Sequence, residues 1–404
     1  MIRVLYVSAS DLVGKRFNGY NMRDTLLESG IIANMAVYKK SSQNPNIYQI
    51  KGIFWHPFNV IARKIEENLS VQSLFYISPL KLLFKRYFWK ADIIHLQLIH
   101  TGFFSLLFLP LISKLKKTIW TLHDPWAFTG HCVHPFYCQR WKIGCGQCPN
   151  LEIPFKVKSD RTHLMWKIKK IIYNNSKLNI IVASDFMLQM ALKSPLFTKA
   201  SIIKIPFGID LSIYKPIISI EVKHFFKIPE ENFVILFRST NNEFKGLKYI
   251  KEVLRKLIGK KNITIITLEE RGLLNEFSNF FQLIELGWVD DEIYLNKIFN
   301  ACDVFLMPSL AEAFGMMALE AMACKKVVVV FDGTSLSNVI FANNGCGISV
   351  APNSQALYKA IVNLMEYPEI KLTIGQNAYL KVLSDYDFKI MCDRFINLYS
   401  KLAN

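Results

Sequence analysis

The stretch EAFGMMALE sets two carboxylates, Glu312 and Glu320, around a Phe-Gly pair and an apolar run. A β-rich apolar segment, Val304–Met307, precedes it and ends at Pro308-Ser309, and a helical pattern begins at about Met316. Glycine lets the backbone approach a ligand closely, and the unbonded N–H groups of a helix start attract phosphate. Glu312 then belongs to the loop and Glu320 to the helix about one turn in, so the two acids address different parts of one ligand. Carboxylates repel a diphosphate, but they accept hydrogen bonds from neutral hydroxyls beside it. The chemistry that suits this pattern is recognition of sugar hydroxyls flanking a phosphate group.

Two further groups could do chemistry. His123 closes the run KTIWTLHD. A histidine at the carboxyl end of a parallel strand faces the place where α/β sheets bind ligands, although a lone histidine is more often structural. Cys132, Cys138, Cys145 and Cys148 fall within 17 residues, four of the eight cysteines of the chain. Their spacing, C-x5-C-x6-C-x2-C, is not that of a standard finger. It leaves open a structural zinc held by four thiolates, a reversible disulfide, or a packed loop.

These groups need a frame, and the hydrophobic pattern supplies one. IRVLYV, a glycine loop with Gly14 and Gly19, and NMRDTLLESG make a first strand–loop–helix unit. IIANMAVYK, ADIIHLQ, KTIWTLHD and LNIIVAS follow as strands, then NFVILFRS, NITIITLE, FQLIELG, CDVFLMPS and KVVVVFD, with helical stretches such as GLKYIKEVLRKLIGK between them. Strands alternating with helices predict α/β architecture with parallel sheets covered on both faces. At 404 residues the chain exceeds the roughly 250–300 at which one core stops growing, so two doubly wound domains are expected. The boundary falls near Pro206: a first domain over 1–205 with a Cys-rich insert at 131–149, a second over 206–385, and a C-terminal helix over 386–404 returning to the first domain. Ligands in such sheets sit at strand carboxyl ends, so a cleft between two facing domains is expected.

The net charge of +17 is unevenly placed. Residues 1–205 carry 28 Lys and Arg against 10 Asp and Glu, whereas residues 206–404 carry 21 against 22. The first domain therefore expects an anionic partner or simply a solvated basic face. Residues 74–90, LFYISPLKLLFKRYFWK, interleave aromatics and leucines with Lys81, Lys85, Arg86 and Lys90. This composition suits a helix lying among lipid headgroups, or a core helix with a basic outer face. Residues 96–113 are apolar but interrupted by His100, Gly102 and Pro110, and read as a buried helix rather than a membrane span. The N-terminus carries no secretory pattern, which places the protein in the cytosol, where standing disulfides are rare.

The E-x-F-G-x4-E pattern within PSLAEAFGMMALEAMACKKVVV resembles the signature of GT-B retaining glycosyltransferases of family 4, the glycosyl transferases group 1. That resemblance implies two Rossmann-like domains and a nucleotide-diphosphate sugar as donor. It assigns Glu312 to the donor sugar, Phe314, Gly315, Met316 and Met317 to the loop lining the donor, and Glu320 to the nucleotide ribose. In FRSTNNEFKGL it gives Arg238 and Lys245 the donor diphosphate, stabilising the leaving group so that no metal is needed for the reaction. It places His123 near the donor sugar, Gly19 in the first glycine loop, where Asn18 replaces the usual glycine, and Gly287, Trp288 and Val289 beside the base. The segment from His123 through the cysteines, HDPWAFTGHC followed by CQRWKIGCGQCP, is similar to one carried by a subgroup that builds surface polysaccharides.

The implied reaction is sugar transfer with same-face attack, the acceptor proton passing to the departing phosphate oxygen. The acceptor is a saccharide, lipid-linked on the strength of the basic first domain, which puts the protein on the inner face of the cytoplasmic membrane. Structural zinc remains one option for the cysteines. A sugar-nucleotide epimerase or phosphorylase of the same architecture is the nearest rival reading. Nucleic acid is not an expected partner: a pI near 9.4 points that way, but no recognition motif accompanies it.

Overall fold

The computed structural model describes residues 1–50 and 56–404. Contacts between Cα atoms divide the chain into two compact units, Met1–Pro206 with Met391–Asn404, and Phe207–Ile390.

The first unit is built on a seven-stranded sheet: β1 (Ile2–Ser10), β2 (Ile31–Lys39), β3 (Ile47–Gln49), β4 (Ile93–Leu96), β5 (Lys117–Leu122), β6 (Leu178–Val182) and β7 (Ser201–Lys204). The second unit carries β8 (Phe233–Ser239), β9 (Ile263–Glu269), β10 (Gln282–Glu285), β11 (Val304–Met307), β12 (Val327–Phe331) and β13 (Ile348–Val350). Spatial orders are β3-β2-β1-β4-β5-β6-β7 and β10-β9-β8-β11-β12-β13, and all pairings are parallel. Every residue of β4, β11 and β12 is buried, as strands covered on both faces require. The α/β fold expected from the alternation is present. Three strands escape the pattern because they are short edge strands of three or four residues: β3, β7 and β13.

Two helices expected from composition are not single helices. Residues 74–90 form two short ones, Ser78–Leu83 and Arg86–Lys90, because Lys85 lies between them in an extended conformation. Residues 96–113 begin as the end of β4 and turn through Leu98 and Gly102 at positive φ; a 3-10 turn covers Leu106–Phe108 and α-helix starts only at Leu109. Leu107, Leu111 and Leu115, spaced to share a helix face, are exposed rather than buried.

The loop after β5 is fixed from beneath by Lys169, a fully buried residue of helix Thr162–Asn174. Its ammonium donates to the carbonyls of Trp126 (2.6 Å) and Thr129 (2.9 Å) and sits 3.5 Å from the Trp126 ring centroid. Burial pulls its pKa down to about 7. The unfolded chain therefore holds a proton that the native state gives up between about pH 7 and 10.4, and this group's contribution to stability rises with pH across that window. Lys169→Met removes the contribution and leaves two carbonyls unpaired, at about 1–3 kcal/mol each. Thermal melts of both proteins should show destabilisation at pH 7 and a larger deficit at pH 9; an equal deficit at both values refutes the assigned pKa.

Candidate functional site

In the second unit four loops leave the carboxyl ends of neighbouring strands and bring charge together. Arg238 lies at the end of β8, and its Nε donates to Glu269 Oε1 at the end of β9 (2.7 Å). Lys245, on the turn after β8, is ion-paired with Glu312 on the loop after β11. The sequence dictates this second pair through Gly246, which has φ +76° and lies so close to the Pro308 carbonyl that a Cβ would sit 2.1 Å from its oxygen. Only glycine lets the two loops touch there, and the Leu310 N–H bond to Phe244 O (2.8 Å) reinforces the contact.

Gly315 is also left-handed, at φ +99°, and caps helix Met316–Ala323; a Cβ would meet Leu336 at 2.3 Å. Phe314 is buried, its ring packing on Phe207 (5.0 Å) and Tyr386 (6.0 Å), so it anchors the loop. Met316 and Met317 are partly exposed on the first turn. Glu320 lies on the same helix with no exposed surface, so a ribose could meet it only at the floor of the site. Gly287 accepts from Glu269 N–H (2.8 Å), which ties the 287–289 turn to the end of β9, and the exposed Trp288 is held by Asp290 (2.7 Å).

In the first unit His123 follows β5. Its Nε2 lies 2.6 Å from Gln97 Oε1 and its ring packs on Phe17. The polar contacts continue inward: Gln97 Nε2 to His95 Nε2 (3.1 Å), His95 Nε2 to Thr121 Oγ1 (2.7 Å), His95 Nδ1 to Tyr399 Oη (2.8 Å), Tyr399 Oη to Tyr6 Oη (2.7 Å). Gln97 oxygen can only accept, so His123 Nε2 carries the hydrogen. Burial pulls both histidines down to about 3, and both are neutral near pH 7. Gly19 has φ +94° and abuts the Tyr6 ring, where a Cβ would come within 2.4 Å. Asn18 is buried and donates to the carbonyls of Ser10, Asp11 and Val13, closing the loop that a second glycine would leave loose.

Residues 220–381 match the model of a family described as glycosyl transferases group 1. These residues are a glycosyl transferases group 1 domain. Among curated proteins the chain is 28% identical, over 54% of its length and 58% of the relative's, to N,N'-diacetylbacillosaminyl-diphospho-undecaprenol alpha-1,3-N-acetylgalactosaminyltransferase of Campylobacter jejuni. The chain spans about half the length of the curated relatives it matches. Among solved structures it resembles sucrose-phosphate synthase of Thermosynechococcus elongatus (TM-score 0.69, 16% identity, 100% of this chain and 99% of that one). It also resembles Anabaena HepE in complex with UDP and glucose (TM-score 0.67, 15% identity, 99% and 100%). The fold is GT-B, two Rossmann-like α/β halves.

The group 1 domain holds Arg238, Lys245, Glu312, Glu320 and the 287–289 turn, whereas Gly19 and His123 lie in the other unit. Sequence reasoning missed Glu269, the partner of Arg238; a glutamate closing β9 level with Ser239 was the available signal. It also missed Gln97 and Tyr399, which no local motif marks.

Cys132, Cys138, Cys145 and Cys148 all line one small pocket of the first unit. Among the described residues no group of three or more His, Cys, Asp or Glu is placed to hold a metal ion. The thiols are free and engaged locally: Cys145 accepts from Gly130 N–H (3.3 Å), and Cys148 lies 3.3 Å from His131 Nε2 and donates to Asn150 O (3.4 Å). Burial pushes Cys132 up to about 12 and Cys145 to about 11, so both thiols are protonated near pH 7.

Gly246→Ala should lower the urea midpoint more than Gly259→Ala. Gly259 has a similar φ of +91° but nothing within 4 Å of a Cβ, so it carries only the backbone strain of about 1–3 kcal/mol. Equal losses would mean that the approach to Pro308 does not hold the loops.

Proposed function

We propose that this protein is a retaining glycosyltransferase that moves a sugar from a nucleotide diphosphate to a hydroxyl of a lipid-linked saccharide in surface-polysaccharide assembly. The observation that carries the reading is the pair of bases at the end of β8 and on the turn after it, Arg238 and Lys245, each neutralised by a carboxylate. An incoming diphosphate competes for both bases. Lys245 passes to the phosphates, and Glu312 is released to accept hydrogen bonds from the donor sugar. Glu320 and the 287–289 turn then take ribose and base.

In the transfer step the bond from C1 of the sugar to the phosphate oxygen breaks and a bond from C1 to the acceptor oxygen forms on the same face. The acceptor proton moves to the departing phosphate oxygen, and nucleoside diphosphate leaves. Arg238 and Lys245 stabilise the charge that develops there, the task a metal performs elsewhere. His123, neutral and of fixed tautomer, acts as a hydrogen-bonding group for the sugar rather than as an acid.

Panels of nucleotide sugars and free UDP and GDP should identify the donor by thermal stabilisation. Glu312→Gln removes the internal competitor for Lys245, so the stabilising nucleotide should bind as well or better while transfer falls about 10²–10³-fold. Lost nucleotide binding with unchanged turnover would reverse the assigned roles. A product of altered sugar formed with no acceptor would make the protein an epimerase, and an inverted anomeric configuration by NMR would exclude retention.

The first unit supports membrane attachment. Helix His56–Leu69 leaves Phe58, Ile61, Ile65 and Leu69 exposed at helical spacing, and Phe84 (76%) and Trp89 (53%) stand out among Lys81, Lys85, Arg86 and Lys90. No helix among the described residues is long and apolar enough to cross a membrane. Such a surface suits the headgroup region of an anionic bilayer. Sedimentation with phosphatidylcholine vesicles containing phosphatidylglycerol should carry the protein down, less so as salt rises, and Phe84→Ser with Trp89→Ser should weaken it. Binding indifferent to anionic lipid and to salt defeats the proposal.

A further inference from the structure

A cavity of about 740 Å³ opens in the first unit and is used by none of the groups above. Its size falls within the roughly 300–1,000 Å³ of small-molecule sites. The walls come from the last turns of helix His56–Leu69, the following loop, the turn after β4 at His100–Gly102, and residues 152–158.

These walls are held rigidly from behind. Glu66, buried, accepts the N–H groups of Ser73 (2.8 Å), Leu74 (2.6 Å) and Phe75 (2.8 Å). Gln72 accepts from Trp126 Nε1 (2.7 Å) and donates to Phe155 O (2.5 Å), and Ser159 N–H reaches Ser70 Oγ (2.9 Å). Phe155 is itself held at φ +69°, a conformation that a bulky residue keeps only when its surroundings impose it.

Three features define what the cavity would take. Its aromatic wall is His100, stacked on Trp126 at 4.9 Å and met edge-on by Phe155 at 5.3 Å, with Tyr76 nearby. Its formal charges balance, with Arg63, Lys156 and Lys158 against Glu66, Glu67 and Glu152. In a half of the molecule that carries all the excess positive charge, this balance disfavours a phosphate and favours a neutral polyhydroxyl compound. Rings for C–H faces and charged groups for hydroxyls are the two contacts a sugar needs. Finally, His100 Nε2 is 2.9 Å from Asp124 Oδ2, so the cavity wall is tied to the residue next to His123.

We propose that this cavity is the acceptor subsite, holding an uncharged terminal sugar residue with its reacting hydroxyl on the Asp124 side. The inference rests on the glycosyltransferase reading. It adds that helix His56–Leu69 both lines the subsite and bears the exposed apolar stripe, so one element would meet lipid and sugar of a single acceptor.

Saturation-transfer NMR with the methyl α-glycosides of glucose, galactose, N-acetylglucosamine and N-acetylgalactosamine tests it on the full chain. At least one glycoside should receive saturation from the wild-type protein and bind about tenfold more weakly to Phe155→Ala and to Glu152→Gln, both with unchanged melting temperature. No transfer to any of the four, or transfer undiminished in both variants, overturns the subsite. Competition of the bound glycoside by inorganic pyrophosphate, relieved in Lys156→Met, overturns its neutral character. UDP and GDP stabilisation measured on the same samples separates the two readings: nucleotide binding without glycoside binding rejects only the subsite, and the converse rejects only the donor assignment.

Discussion

The contact between Gly246 and the Pro308 carbonyl governs the chemistry of the second unit. Neighbouring parallel strands bring their carboxyl ends to one edge of the sheet, but strand pairing alone leaves loops free to diverge. Removing a side chain at residue 246 lets the turn after β8 lie directly on the loop after β11, and Lys245 is thereby delivered to Glu312. The same economy appears at Gly315, where Leu336 occupies the space of a Cβ. Left-handed glycines fix the loop positions, and charged side chains occupy the space the glycines define.

Pairing each base with an acid resolves a problem common to anion sites. Two uncompensated cations at one sheet edge would repel each other and raise the cost of folding. Glu269 and Glu312 remove that cost in the resting protein, and on the proposed function a dianionic diphosphate would take their place. On this view Glu312 is placeholder and sugar ligand in turn.

Much of this was legible in the sequence. The nine interior strands announce themselves by β-branched, apolar runs, because burial on both faces demands them, and the edge strand β10 is marked by its own apolar run. The edge strands β3, β7 and β13 do not, since pairing on one side needs only three or four residues. The Glu-Phe-Gly loop could be read from local chemistry, as glycine and helix start are neighbours in the chain. Glu269, Gln97 and Tyr399 could not, because their roles depend on register between distant segments. Composition misled at residues 74–90, where a continuous amphipathic pattern is broken by one extended residue, Lys85.

The histidine network shows why the C-terminal helix belongs to the first unit. His95 is fully buried, and a neutral imidazole there needs a donor on one side and an acceptor on the other. Thr121 and Gln97 supply donors to Nε2, and Tyr399, arriving from the last helix, accepts from Nδ1–H. With His95 Nε2 committed as acceptor, Gln97 must present its amide nitrogen inward and its oxygen outward, which fixes the proton on His123 Nε2. A residue some three hundred positions away thus sets the tautomer at the end of β5. Burial holds both rings neutral, so the arrangement persists across the physiological pH range, and on the proposed function His123 would meet a ligand through hydrogen bonding and shape rather than through charge.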